Sequence, residues 1–157
     1  RTLNRIWLTD VINFQSRVFD GSLRHLVAID SHSIRVTPVD DTDRNGFLNF
    51  QGGLQIGLQT DQFGTTALQA TIRVWTNQST GGTARLLLRN WSTGQFVEVG
   101  NGSFGTTPTT VMIAGIPFGN YRRGDGRIEA RIRGDVTAPG FASRTIVNFD
   151  QVRLTSS

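Results

Sequence analysis

The chain has 157 residues with sixteen arginines, no lysine and no cysteine, and its formal net charge is +4. This length is that of about one domain, which buries a core without covalent support, and the lack of cysteine excludes disulfides, thiolate zinc sites and thiol nucleophiles. The positive charge attracts polyanions at long range, but the arginines are spread along the whole chain rather than gathered in one patch, so we do not expect specific nucleic acid binding.

The N-terminal segment, residues 1–19, is the least regular part of the sequence. It is apolar and contains Trp7, Phe14 and Phe19, which fits an edge strand, a strand that pairs with a partner, or a short helix. We therefore predict an N-terminal strand or extension over residues 1–19 that pairs with a partner, and a single domain over residues 20–157.

The segment GSLRHLVAIDSHSIRV follows this extension. Its apolar residues Leu23, Leu26 and Ile29 recur every three positions, which predicts a helical turn near residues 22–29. Alternation of apolar and polar residues then begins at Ile34, as expected of a strand.

Two short stretches, residues 47–50 and 54–58, are again typical of a strand. Gly52 and Gly53 interrupt the pattern between them. Because glycine inside a strand often marks a bulge or a tight bend, we predict such an irregularity at this point.

The segments ALQATIRVWT and TARLLLRNW alternate strictly, which predicts two half-buried strands. The predicted inward residues are Leu68, Ala70, Ile72 and Val74 in the first segment, and Ala84, Leu86 and Leu88 in the second. Turn residues in TNQSTGG and STG separate these segments from each other and from QFVEV. The three segments are therefore predicted to form a meander of neighbouring strands.

The C-terminal third continues with PTTVMIAG, a polar GNYRRGDG loop, the strand GRIEARIRG, a DVTAPGFAS loop and a last strand, RTIVNFDQVRLT. Ile128, Ala130 and Ile132 lie between arginines and a glutamate, which predicts one buried and one solvated face. In the last strand the apolar positions change parity near Asp150 and Gln151, and a β-bulge there would keep them on one face.

These elements predict an all-β protein. About nine short strands, glycine-rich turns and little helix are typical of an antiparallel β-sandwich of the jelly-roll type. No apolar run reaches the roughly 18 residues that cross a bilayer, so we expect no membrane span.

The order of LLLRNWSTGQFVEVG, RIEARIRG and FDQVRLT, preceded by GSLRHLVAIDSHSIRV, resembles the jelly-roll modules of secreted and cell-surface bacterial proteins. The resemblance covers residues 20–155 and lies in strand rhythm more than in invariant chemistry. It implies a non-catalytic module located outside the cell or on its surface. Because the ligands of such modules are largely unassigned, it implies a fold rather than a ligand.

Aromatic and cationic side chains have outward parity on two of the predicted strands. They are Arg73, Trp75, Arg85, Arg89 and Trp91. On one exposed surface, the rings would stack on sugars or bases and the guanidinium groups would hold anions. The alternative is that Trp75 and Trp91, at strand ends, are covered by a loop or by the N-terminal segment.

The segment DDTDRNG matches the opening of a calcium loop, in which oxygen ligands alternate before a glycine. The candidate ligands are Asp41, Asp43 and Asn45, with Asp40 beside them. Gly52 stands where a bidentate glutamate should close the site, so a complete site needs a distant carboxylate such as Asp61. The alternative is an acidic, solvated turn. We expect no other cofactor.

No set of residues predicts catalysis. His25 and His32 have no accompanying carboxylate pattern and fit ordinary surface histidines. The only glutamates, Glu98 and Glu129, have outward strand parity, which explains them more simply than a glycosidase pair does. We therefore predict that the protein is not an enzyme.

Three functions follow from these observations. The first is an extracellular structural or adhesive module, a surface or filament subunit whose partners are its own copies or surface proteins. The second is a carbohydrate-binding module that binds polysaccharide through the outward tryptophans and arginines. The third, polyanion or nucleic acid binding, has only the arginine content to support it.

Overall fold

The computed structural model describes residues 6–14, 16–26, 33–42, 48–61, 67–138 and 145–156. Within them the chain forms ten strands: β1 (Ile6–Phe14), β2 (Ser16–Asp20), β3 (Ile34–Thr42), β4 (Leu48–Thr60), β5 (Ala67–Thr76), β6 (Gly82–Arg89), β7 (Phe96–Phe104), β8 (Thr109–Pro117), β9 (Arg127–Ala138) and β10 (Val147–Ser156). The helices of this described part are 3₁₀ turns at Leu23–Leu26 and Gly119–Tyr121, and neither is long enough to cross a membrane.

The strands form two antiparallel sheets of a β-sandwich, which confirms the predicted fold class. Sheet A has the order β1-β4-β9-β6-β7, and sheet B has the order β2-β3-β10-β5-β8. Strand β3 joins them, because its first part pairs with β2 and β10 while Val39–Thr42 pair with the start of β4.

Alternation places one apolar face of each sheet in a shared core. The inward residues predicted for β5, β6 and β9 are all fully buried, which confirms their orientation. Among the described residues, Phe118 and Phe149 are the largest fully buried side chains in this core. Burying one such side chain stabilises the fold by about 1.5–3 kcal/mol, so the core carries most of the stability.

The predicted bulge in the last strand is confirmed. The pairing of β10 with β5 shifts between Phe149 and Gln151, and Asp150 is the extra residue. Val147 and Phe149 before the bulge and Val152 after it are therefore all buried.

The predicted irregularity at Gly52 and Gly53 is wrong. Strand β4 runs through both glycines in unbroken register with β9. They mark instead the point where the other partner of β4 changes from β3 to β1. The buried Ser16 hydroxyl accepts a hydrogen bond from Gly53 N (2.9 Å) and donates one to Gly53 O (3.1 Å). A Cβ at Gly53 would collide with the Ile132 carbonyl, so close strand approach explains this glycine.

Two further expectations need adjustment. The helical turn is present as the 3₁₀ turn Leu23–Leu26, while Ile29 lies outside the described residues. Strand β9 continues to Ala138, so the first part of the predicted DVTAPGFAS loop is strand, because β4 is long enough to pair with it.

Strand β1 settles the conformation of residues 6–14 in favour of a strand. It pairs with β4 from Ile6 opposite Thr60 to Phe14 opposite Gly53. Ile6 is buried in the core, and Phe14 comes to lie beside the outer face of sheet A. Partner pairing by this segment stays a prediction.

Candidate binding groove

The outer face of sheet A carries an open groove of about 550 Å³. Phe14 on the edge strand β1 and Phe96 on the edge strand β7 form its two sides. Gln55, Leu87 and Arg131 lie between them, on β4, β6 and β9. The groove thus crosses the whole sheet, and its residues come from five strands.

Arg131 occupies the centre of this groove because of strand register. It lies directly opposite Gln55 on β4 and Leu87 on β6. Its Nε donates a hydrogen bond of 3.0 Å to Gln55 Oε1. Its guanidinium carbon lies 4.4 Å from the centroid of the Phe14 ring and 3.8 Å from that of Phe96. Both distances are those of cation–π contacts, so the two rings hold the guanidinium between them.

Two groups of ion pairs flank Arg131. In the first, Arg85 Nε lies 2.8 Å from Asp135 Oδ2 and Arg85 Nη1 lies 3.3 Å from Glu98 Oε2. Arg133 Nε also contacts Asp135, at 2.8 Å. Because each carboxylate is shared or chelated, this group is locked in place.

The second group joins three strands. Arg89 Nη1 lies 2.9 Å from Glu129 Oε1, and Arg127 contacts both Glu129 (3.5 Å) and Asp10 (2.9 Å). The hydrogen bond from Arg127 lowers the pKa of the Asp10 carboxyl, although partial burial opposes it. Asp10 in turn raises the pKa of Arg127.

Arg131 differs from these arginines in its charge balance. Within the described residues it makes no ion pair with a carboxylate. Burial lowers the pKa of its guanidinium; the charge of Glu129 opposes this shift, and the charge of Arg89 adds to it. The centre of the groove therefore holds a fixed, partly desolvated cation.

The five residues predicted to form one surface lie on opposite sides of the sandwich. Arg85, Arg89 and Trp91 belong to the sheet A side, whereas Arg73 and Trp75 face outward from sheet B. The predicted meander is confirmed for β6 and β7, which pair with each other, and is wrong for β5, which pairs with β8 and β10 while β6 pairs with β9. The TNQSTGG turn carries the chain from sheet B to sheet A. Outward residues before the turn therefore lie on one face of the sandwich, and outward residues after it lie on the opposite face.

Trp91 and Arg73 have partners within the chain. Trp91 Nε1 donates a hydrogen bond of 3.3 Å to the Tyr121 carbonyl, and the Arg89 and Arg123 guanidinium groups lie 4.5 Å and 4.9 Å from the Trp91 ring centroid. Arg73 pairs with the buried carboxylate of Asp150 at 3.2 Å. Ligand binding by Trp75 and Trp91 stays a prediction.

Sequence reasoning missed three residues at the centre of the groove: Phe14, Phe96 and Arg131. Phe96 lies directly opposite Arg89 across the β6–β7 hairpin, so its outward position was readable from the hairpin register. Arg131 has the outward parity already noted for β9. Phe14 gave no such signal, because its place depends on the pairing of β1 with β4.

The other candidate residues are placed as follows. Asp41 lies on β3, while Asp43 and Asn45 lie outside the described residues, so the calcium site stays a prediction. In the part of the chain that the structure describes, no three His, Asp or Glu side chains converge as a metal site. His25 Nδ1 accepts a hydrogen bond from Ser22 N (3.1 Å), and His32 is outside the described residues.

The fold is a β-sandwich of the jelly-roll type, similar to the fold of solved carbohydrate-binding modules. One similar solved structure is a family 61 carbohydrate-binding module in complex with β-1,4-galactotriose, with 11% identity, a TM-score of 0.51, and coverage of 98% of this chain and 88% of that one. Another is the N-terminal cellulose-binding domain of β-1,4-glucanase C from Cellulomonas fimi, with 16% identity, a TM-score of 0.52, and coverage of 94% and 89%. Protein-family models and curated proteins give no match.

Proposed function

We propose that this domain is a non-catalytic carbohydrate-binding module whose binding site is the groove on the outer face of sheet A. The observation that carries the proposal is the groove itself, where two half-buried phenyl rings on opposite edges of the sheet bracket a floor of amide and charged groups. A sugar chain offers apolar C–H faces and many hydroxyls, and this groove offers a partner for each.

The polar groups of the floor suit hydroxyl recognition. Gln55 Oε1 accepts a hydrogen bond from Arg131, which orients the amide so that Gln55 Nε2 is the group that donates to a sugar hydroxyl. Glu129 holds its two arginines with Oε1 and Oε2, and each carboxylate oxygen keeps a further lone pair for a sugar hydroxyl. Ion pairing fixes these side chains before a ligand arrives, which reduces the entropy lost on binding.

The shared fold also supports the proposal. One similar structure contains β-1,4-galactotriose, and the other is the cellulose-binding domain of a β-1,4-glucanase. We infer an extracellular or cell-surface location, where polysaccharide is available to bind.

A self-assembling surface or filament subunit has less support. That hypothesis needs a free apolar strand at the N-terminus, but one edge of β1 is already occupied by β4 of its own chain. The exposed Trp7 and Ile12 point away from the core on the same strand as Phe14, so they extend the sheet A surface.

Calorimetric titration against a panel of soluble glycans tests the proposal. We expect micromolar to millimolar binding of at least one member of a panel of β-1,4-galactan, cello-oligosaccharides and polygalacturonate. Phe96→Ala should weaken it about tenfold or more, because one wall of the groove is lost, and Phe14→Ala should act in the same direction.

Met112→Ala is the matched control. Met112 is an exposed apolar residue, 62% accessible, on the outer face of sheet B. Its removal should leave the affinity unchanged. If binding is lost on Trp75→Ala but survives both phenylalanine substitutions, the binding site is on sheet B and not in the groove. If no glycan binds, the proposal is wrong.

A further inference from the structure

The centre of the groove carries an uncompensated positive charge. Three arginines line the groove, namely Arg89, Arg131 and Arg133, with Glu129 as the acidic lining residue among those described. Arg89 is neutralised by Glu129 and Arg133 by Asp135. Arg131 has no such partner in the described part of the chain, so its charge is left for a ligand to balance.

The donors of Arg131 are divided in a way that suits an anion. Its Nε is used by Gln55, which fixes the rotation of the guanidinium plane. Both Nη groups have no acceptor among the described residues. Two parallel N–H donors on a planar fork match the two oxygens of a carboxylate.

The phenyl rings strengthen this preference. Phe14 and Phe96 lie 4.4 Å and 3.8 Å from the guanidinium carbon, so Arg131 occupies the space between them. A sugar that packs against either ring therefore also lies next to the guanidinium of Arg131. Rings held against a cation in this way reduce its hydration, which makes a charged acceptor more favourable.

We propose that the groove selects polysaccharides that carry carboxylates, that is, chains of uronic acids, with one carboxylate held by the two Nη groups of Arg131. This inference rests on the proposed function and adds the substrate class. The flanking hydroxyls of the chain then face Gln55 on one side and Glu129 on the other.

The test compares one polymer in two charge states. Polygalacturonate and its methyl ester share a backbone and differ in whether the carboxyl is charged. In EDTA, which prevents bridging by calcium, we expect polygalacturonate to bind about tenfold or more tightly than the ester. Raising the salt from about 20 mM to about 300 mM should weaken only the charged interaction.

Arg131→Gln removes the charge while keeping a polar side chain next to Gln55, and it should abolish the preference for the free acid. Arg131→Lys keeps the charge but loses the fork, so it should retain part of the preference. Arg153→Gln is the control, since Arg153 is exposed on the outer face of sheet B and its loss changes the net charge equally. It should leave the preference intact.

Each outcome decides the inference. Equal binding of acid and ester, or an equal effect of Arg153→Gln and Arg131→Gln, overturns it. Tighter binding of a single-stranded oligonucleotide than of polygalacturonate also overturns it. If β-1,4-galactan binds and Phe96→Ala abolishes that binding, the proposed function stands while the inference fails; if no glycan binds, the proposed function fails as well.

Discussion

Arg127 connects two strands that are not neighbours in their sheet. It projects from β9, and its Nη1 donates hydrogen bonds of 2.9 Å to both Thr9 Oγ1 and Asp10 Oδ1 of β1. Strand β4 runs between β1 and β9, and Gly57 lies at the crossing point. A Cβ there would collide with both Asp10 and Arg127, so the missing side chain is what permits this pair.

The pair predicts an acid-dependent part of the stability. Arg127 lowers the pKa of Asp10 below the ordinary 3.8 in the folded state. A carboxyl of this kind stabilises the fold fully above about pH 3.8, and the contribution is lost as the pH falls through the folded pKa. Asp10→Asn should therefore lower the stability by about 0.2–1 kcal/mol at pH 6, and this effect should shrink as the pH falls from 3.8 towards pH 2.

Thermal unfolding of both proteins across that pH range measures the difference. Asp20→Asn is the control, because Asp20 forms a looser pair with Arg35 at 3.7 Å between exposed side chains. It should change the unfolding temperature less at pH 6. A difference between wild type and Asp10→Asn that stays constant down to pH 2 would contradict the assignment.

Gly126 is constrained both by its backbone and by its neighbours. Its φ is +93°, and a Cβ would collide with the Thr60 carbonyl. Gly115 has φ +71° but no atom within 4 Å of a Cβ. In urea unfolding, Gly115→Ala should cost about 1 kcal/mol from backbone strain alone, and Gly126→Ala about 3 kcal/mol. Equal costs would show that the contact with Thr60 relaxes freely.

At the scale of the strand, the alternation of apolar and polar residues depends only on neighbouring positions in the sequence. It predicted correctly which side chains of a strand face the core. The orientation of β5, β6 and β9 and the bulge at Asp150 follow from which residues are apolar, because a slip by one position turns every side chain over. The pairing of strands, in contrast, depends on contacts between segments that are distant in sequence. β6 pairs with β9 in sheet A and β5 pairs with β10 in sheet B, so the inward faces of β5 and β6 meet in the core between the sheets.

The candidate site divides in the same way. Outward parity correctly selected Arg85 and Arg89, which lie on the face that carries the groove. The same criterion also selected Arg73 and Trp75, which lie on the opposite face of the sandwich. The groove depends on Phe14 meeting Arg131, which are distant in sequence. Only the pairing of β1 with β4, and of β4 with β9, brings them together.

The whole molecule has one core between its sheets. Buried residues of sheets A and B belong to the same cluster, and β3 pairs into both sheets. If either sheet separated, the inward apolar face of the other would be exposed to water. We therefore expect the domain to unfold in a single cooperative transition.

The three tryptophans allow this expectation to be tested sheet by sheet. In the variant with Trp7→Phe and Trp91→Phe, the fluorescence reports Trp75 on sheet B. In the variant with Trp7→Phe and Trp75→Phe, it reports Trp91 in the turn that follows β6 of sheet A. Each double variant is unfolded in urea and followed by its own fluorescence and by far-UV circular dichroism. Because the two faces of one core cannot be exposed separately without a large loss of buried apolar area, the midpoints of both probes should coincide within each variant. A fluorescence midpoint for Trp75 that differs from the circular dichroism midpoint of the same protein would mean that the sheets unfold independently.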